Sequence, residues 1–296
     1  MAESFDTPRA AVIQDLSGVG RCALSVALPI ISAMGIQACP MPTAVLSAHT
    51  GGFTKPVSVS LTGYISNALA HWEREDVRFQ GIYSGYLADN AQVDIVRAFI
   101  LRQRDRCETR VVVDPAMADH GRLYSNLTED VSHHMRSLCA EADVITPNLT
   151  EAFLLAGMPY REEMLSNAET IRLLNGVLDT GCGAAIITGV PLCGRNCQAN
   201  ICATAGNAGG FWYCAYPHLD IALPGTGDIF ASVLTGVLLR GEALPEAMAR
   251  ATDFTFRAVQ RTVQAGTPAR EGALFEALLP TLLEPEARIA PRYLFS

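Results

Sequence analysis

The sequence predicts an α/β fold, a parallel sheet flanked by helices, and three observations predict it. Short apolar runs recur at residues 10–14, 36–45, 81–86, 110–115, 143–147 and 183–189, and each gives way to a polar or glycine-bearing turn. Between several of them lie stretches with the 3.6-residue apolar spacing of helices. Strand, turn, helix, strand is the unit of a parallel sheet, whose ligands bind beyond the carboxyl ends of the strands. No change of composition, linker or internal repeat divides the chain, so residues 1–296 are expected to form one domain.

Composition narrows the function. Hydrophobic residues make up 49% and charged residues 18%, a balance that supports a packed core and argues against disorder. The net charge of −8, with no cluster of Lys or Arg, argues against a nucleic-acid partner. The longest apolar run, 22–36, is broken by Ser25, Pro29 and Ser32 and is too short to span a bilayer, so no membrane partner is expected. The acidic first six residues lack the basic start of a signal peptide, and a cytoplasmic location is expected. Nine cysteines in a chain of this kind are expected to be reduced. Cys193, Cys197, Cys202 and Cys214 cluster loosely but match no zinc spacing. Lys55 is the only lysine, which rules out a P-loop and leaves backbone N–H groups, arginine or a metal to bind any phosphate.

Taken in order, the first strand ends at Asp15-Leu16-Ser17-Gly18-Val19-Gly20, a turn on the ligand side that does not extend to a dinucleotide fingerprint. A helix over 21–34 stops at Gly35, and the second strand leads into Ser47-Ala48-His49-Thr50-Gly51-Gly52, where His49 and Thr50 offer donors and acceptors beside a glycine hinge. A helix over 58–73 precedes the strand that ends in Tyr86, a ring that can stack on a flat ligand or pack in the core. After a helix over 90–106, the next strand ends in Asp114, with Asp119 in the loop beyond. The following strand ends at Thr146-Pro147-Asn148, with Glu151 three residues on. Asp119, Asn148 and Glu151 are hard oxygen donors suited to Mg²⁺, but Asn-x-x-Glu is equally a capping box, and spacing does not choose between the two. The strand over 183–189 holds Thr188, residues 199–216 read as a hairpin, and helices over 228–240, 244–262 and 271–283 complete the chain.

The stretch with the most chemistry is Leu223-Pro224-Gly225-Thr226-Gly227-Asp228, which opens a helix whose apolar stripe runs Ile229, Phe230, Val233, Leu234, Val237, Leu238. A helix start presents unpaired N–H groups and a positive dipole end to an anion, and glycines let that anion approach the backbone. Asp228 adds a carboxylate able to take a proton, the combination that phosphoryl transfer to an alcohol uses. Asp is also a favoured helix cap, and the residues alone leave both roles open.

These motifs together resemble the pyridoxal kinases of the ribokinase-like superfamily. The resemblance runs through Ile13-Gln14, Ser47-Ala48-His49-Thr50, Ser84-Gly85-Tyr86, Asp114-Pro115, Thr146-Pro147-Asn148-x-x-Glu151 and Gly225-Thr226-Gly227-Asp228, in order and at family-like spacing. It implies a three-layer α/β/α fold with a central, mostly parallel twisted sheet, a homodimer, and ATP and a B6 vitamer as substrates. It further implies Asp228 as base, the main chain of Gly225, Thr226 and Gly227 as anion hole, and Mg²⁺ organised by Asp119 and Glu151. Asp114, Thr146, Asn148, Thr188 and Gly225 fall on the ATP side, and His49, Thr50 and Tyr86 around the pyridine ring. The first loop departs from the family pattern of Ser-His after the glutamine: Asp15-Leu16-Ser17-Gly18 stands there, and either Asp15 or Ser17 meets the ring. Hydroxymethylpyrimidine kinases of the same superfamily are the near alternative, but they typically carry cysteine where Asp228 stands. A non-catalytic vitamer-binding protein needs the ring pocket without the base.

Overall fold

The computed structural model describes residues 7–124, 127–128, 130–161, 164–192, 196–207, 210–284 and 287–294. The chain runs β1 (Arg9–Ser17), α1 (Leu24–Ala33), β2 (Gln37–Leu46), β3 (Ser58–Ser60), α2 (Thr62–Arg74), β4 (Gly81–Ser84) and α3 (Asn90–Arg104). It continues through β5 (Arg110–Val113), β6 (Ala118–Asp119), β7 (Arg122–Leu123), α4 (Val131–Cys139), β8 (Val144–Ile145), α5 (Leu149–Ala156) and α6 (Asn167–Leu178). Last come β9 (Ala184–Pro191), β10 (Cys197–Thr204), β11 (Phe211–Pro217), α7 (Thr226–Leu239), α8 (Leu244–Ala265) and β12 (Arg292–Tyr293).

The main sheet has the order β12-β11-β10-β9-β8-β5-β4-β1-β2-β3. Its centre, from β2 to β9, is parallel, and its two edges are antiparallel. Adjacent strand residues point to opposite faces, and both faces are apolar, as a sheet covered on both sides requires. Ile13, Ile82, Val113, Ile145 and Ile187 join one core with α2 to α6, while Val12, Tyr83, Val112, Val144 and Ile186 join a second core with α1, α7 and α8. The result is a three-layer α/β/α structure with every parallel strand delivering its carboxyl end to the same side.

Several elements differ from the sequence expectation. Ser58–Ser60 is an exposed strand on the edge of β2, and α2 starts only at Thr62. No α-helix forms over 271–283: the chain makes 3₁₀ turns at Ala269–Glu271 and Glu276–Leu283, the second containing Pro280, whose missing N–H and bulky ring oppose an α-helical ladder. Helices α4 and α6 add to the expected set. The start of α6 is a capping box of Ser166 and Glu169, a signal present in the sequence. Cys202 and Cys214 are core thiols on β10 and β11, and Cys193 lies outside the described residues.

Candidate active site

A cavity of about 680 Å³ opens at the carboxyl ends of the parallel strands and is closed on one side by the head of α7. Every residue assigned to the site from the sequence lines it: Asp15 and Ser17 from β1, His49 and Thr50 after β2, Tyr86 after β4, Asp114 after β5 and Asp119 from β6. Thr146, Asn148 and Glu151 follow from the end of β8 and the start of α5, Thr188 from β9, and Gly225, Thr226, Gly227 and Asp228 from α7.

The α7 head is shaped by Gly225, which caps the helix at φ 81°. That conformation favours glycine, and a Cβ there would stand 2.0 Å from the Arg21 carbonyl oxygen. Ile229 N–H is the first to bond back, to Gly225 O at 3.0 Å, so the N–H groups of Thr226, Gly227 and Asp228 precede the helical ladder and suit an anion. Asp228 does not cap this helix. Its Oδ2 accepts the Ala23 N–H at 2.8 Å and the Cys22 S–H at 3.3 Å, both from the segment before α1. The sequence suggests that the helix dipole keeps this carboxylate in its ordinary range; instead burial outweighs the two donors and pushes its pKa up.

Asp15 faces the same space. It is buried and accepts the Ser17 hydroxyl proton at 3.0 Å, so the two candidates of the first loop act as one unit. Burial first, and the Asp228 charge second, push Asp15 up to about 7. The β1–β2 register shifts between Gln14 and Leu16, where β2 carries an additional residue opposite Asp15.

At α5 the capping box is made: Asn148 Oδ1 accepts the Glu151 N–H at 3.0 Å, and Glu151 Oε2 accepts the Asn148 N–H at 2.9 Å. Glu151 Oε1 also accepts the N–H groups of Met117 (3.1 Å) and Ala118 (3.4 Å), which ties the β6 loop to the helix head. Burial nonetheless pushes Glu151 up to about 8 against those three donors, with the Asp119 charge adding to the rise. Asp114 is raised well above the carboxylate range by burial, then by Glu151 and Asp228. No three His, Cys, Asp or Glu side chains among the described residues enclose a metal ion unaided. The donor set nevertheless fits Mg²⁺ held through water: Asp119 is an exposed carboxylate at the rim, Glu151 and Asp114 are buried acids whose charge a cation would stabilise, and Thr146 Oγ1 is buried without a partner among the described residues.

His49 is buried with both ring nitrogens committed to backbone. Gly51 N–H can only donate, so Nδ1 accepts it at 3.0 Å, and Nε2–H then donates to Arg270 O at 2.8 Å. The imidazole thus ties the loop after β2 to the segment after α8, and Arg270 lies over the Phe53 ring at 5.4 Å. Sequence reading missed Cys22, Tyr124 and Arg270, which also line the cavity. Tyr124 packs near Tyr86 with ring centroids 6.4 Å apart, giving the cavity a paired aromatic wall.

The fold and this cavity fit an α/β enzyme of the phosphoryl-transfer type, with a helix head whose first N–H groups precede the helical ladder beside a half-buried carboxylate. The family model described as phosphomethylpyrimidine kinase matches residues 27–272, and the chain belongs to that family. A pyridoxine/pyridoxal/pyridoxamine kinase of Bordetella pertussis is 30% identical over 266 residues, covering 86% of this chain and 89% of its own. Among solved structures, a proposed phosphomethylpyrimidine kinase of Bacteroides thetaiotaomicron, in a crystal form with pyridoxal, is 38% identical with TM-score 0.90, covering 97% of this chain and 99% of its own. The pyridoxal kinase of Lactobacillus plantarum is 31% identical with TM-score 0.84, covering 93% and 96%.

Proposed function

We propose that this chain transfers the γ-phosphoryl group of ATP to the 5′-hydroxymethyl oxygen of a vitamin B6 vitamer. The observation that carries the reading is Asp228, a carboxylate at the head of α7 with one oxygen pinned and its basicity raised by burial, beside N–H groups suited to a phosphate. The substrate hydroxyl passes its proton to Asp228 as its oxygen attacks phosphorus, and ADP departs toward the side of Asn148 and Thr188. The α7 N–H groups face the charge that builds on the transferred group. The vitamer ring lies between the Tyr86–Tyr124 wall and the Asp15–Ser17 pair, with His49 and Thr50 shaping the loop above it. Asp119 and Glu151 would hold Mg²⁺, which when bound would neutralise phosphate charge.

ADP release measured with pyridoxal, pyridoxine, pyridoxamine and hydroxymethylpyrimidine tests the reading. Turnover of at least one B6 vitamer above the pyrimidine is expected; turnover of ribose or a nucleoside alone overturns it. The pyrimidine is the second reading, favoured by the description of the matching family. We also propose a homodimer, supported by an exposed apolar row of Leu16, Val45 and Val59 in register across β1, β2 and β3, and testable by light scattering.

A further inference from the structure

The carboxylate of Asp228 is held from outside its own helix. Oδ2 accepts two donors, Ala23 N–H and Cys22 S–H, while Oδ1 accepts no hydrogen bond among the described residues. The two donors are neighbours in the segment between β1 and α1, and the same segment runs so close to the α7 head that a Cβ on Gly225 would collide with Arg21 O. Ala23 stands at φ 52°, ψ −133°, a conformation that L-residues rarely adopt, so the backbone is under strain where it points its N–H at Asp228.

We infer that Cys22 is a positioning residue for phosphoryl transfer: its thiol commits its proton to Oδ2, fixes the carboxylate rotamer, and leaves Oδ1 to receive the proton of the substrate hydroxyl. The inference rests on the reading of Asp228 as base. A thiol suits the task because it is a weak donor, able to orient a carboxylate while taking little of its basicity. Burial, then the charges of Asp228 and Asp15, hold the Cys22 thiol well above its ordinary range, so it stays protonated and remains a donor wherever the enzyme works. The other titratable groups facing Asp228 are Asp15 on β1, His49 after β2, Tyr83 on β4, Asp114 after β5 and Tyr124 after β7. Asp15 titrates in the range where an activity limb is sought, so the comparison is repeated in an Asp15→Asn background.

The experiment measures kcat and both KM values against pH for the native chain, Cys22→Ala, Cys22→Ser and Asp228→Asn. With Cys22→Ala, kcat on the alkaline plateau is expected to fall about tenfold while both KM values stay within about twofold. The acidic limb should move up by roughly half a pH unit, because the ionised carboxylate has lost a donor. Cys22→Ser, whose hydroxyl is a stronger donor, should restore most of kcat and move the limb to or below its native position. An Ala variant with native kcat and limb, beside an inactive Asp228→Asn, overturns the role of Cys22 and leaves the base standing. Loss in Cys22→Ala that raises both KM values and is not rescued by Ser also overturns it, as a packing defect. An active Asp228→Asn removes the base and the inference together.

Discussion

The heads of α5 and α7 place an acidic residue at the same helical position, three residues after the cap, and use it in opposite ways. At α5, Glu151 turns back on its own cap and completes a box with Asn148, three residues away. At α7, the cap is Gly225, which has no side chain to reciprocate, and Asp228 reaches a segment 205 residues earlier in the chain. Glu151 therefore serves its helix and the β6 loop, whereas Asp228 makes no capping bond to its own helix and is left for the role of base proposed above. The same local position closes on its own helix or reaches a distant segment according to what the cap residue offers.

The largest effect that sharpens this contrast is expected from Asp228→Asn. It keeps size and the Ala23 hydrogen bond but cannot take a proton, so kcat should fall about 10²–10⁴-fold with both KM values nearly unchanged. Near-native kcat in that variant would make Asp228 a packing residue. Glu151→Ala should behave differently, because it strands the N–H groups of Met117, Ala118 and Asn148 as well as weakening the proposed metal site. A loss of stability of about 1–3 kcal/mol is expected, seen as a lower urea midpoint. A raised Mg²⁺ requirement of about 10–100-fold should accompany it, and Asp119→Ala should raise that requirement without the stability loss. Equal stability loss in both variants would erase the distinction drawn between them.

Asp15 extends the comparison to pH. Its folded pKa, about 7, lies above its ordinary value of 3.8, so between these values folding takes up a proton. Its contribution to stability is complete below the lower value and is lost as pH rises through the higher one. Chemical denaturation at about pH 4.5 and about pH 7.5 should show a decline, shared with Glu151, Asp114 and Asp228, that Asp15→Asn makes smaller; an identical decline in the variant rules Asp15 out as a source. The smallest effect is expected at Ala23. Ala23→Gly relieves the positive φ and should stabilise the chain by up to about 1 kcal/mol, yet lower kcat severalfold by loosening the N–H that grips Asp228. Higher kcat with higher stability would show that the strained N–H hinders rather than helps.

Much of the site was legible because it is made of local signals. Glycine turns, helix heads and the polar ends of apolar strands are written over a few residues, and a parallel sheet gathers such ends on one side; Asp15, Asp114, Asn148 and Gly225 were readable on those grounds. For Asn148 and Glu151 the spacing offered two roles, a capping box or hard oxygen donors, and the structure shows the box made. The segment over 271–283 was misread because its apolar spacing imitates a helix, while Pro280 and packing against α1 and α8 settle it as 3₁₀ turns.

By itself, then, the sequence determined the layered α/β architecture, through apolar strands buried on both faces, and the set of polar groups at the strand ends. Only the tertiary structure decided what those groups are joined to. The grip of Cys22 and Ala23 on Asp228, the locking of His49 between Gly51 and Arg270, and the pairing of Tyr86 with Tyr124 join residues from separate segments. No periodicity or short motif records such contacts. The raised pKa values of Asp15, Glu151 and Asp228 belong to the same class, because desolvation depends on what the whole chain packs around a carboxylate.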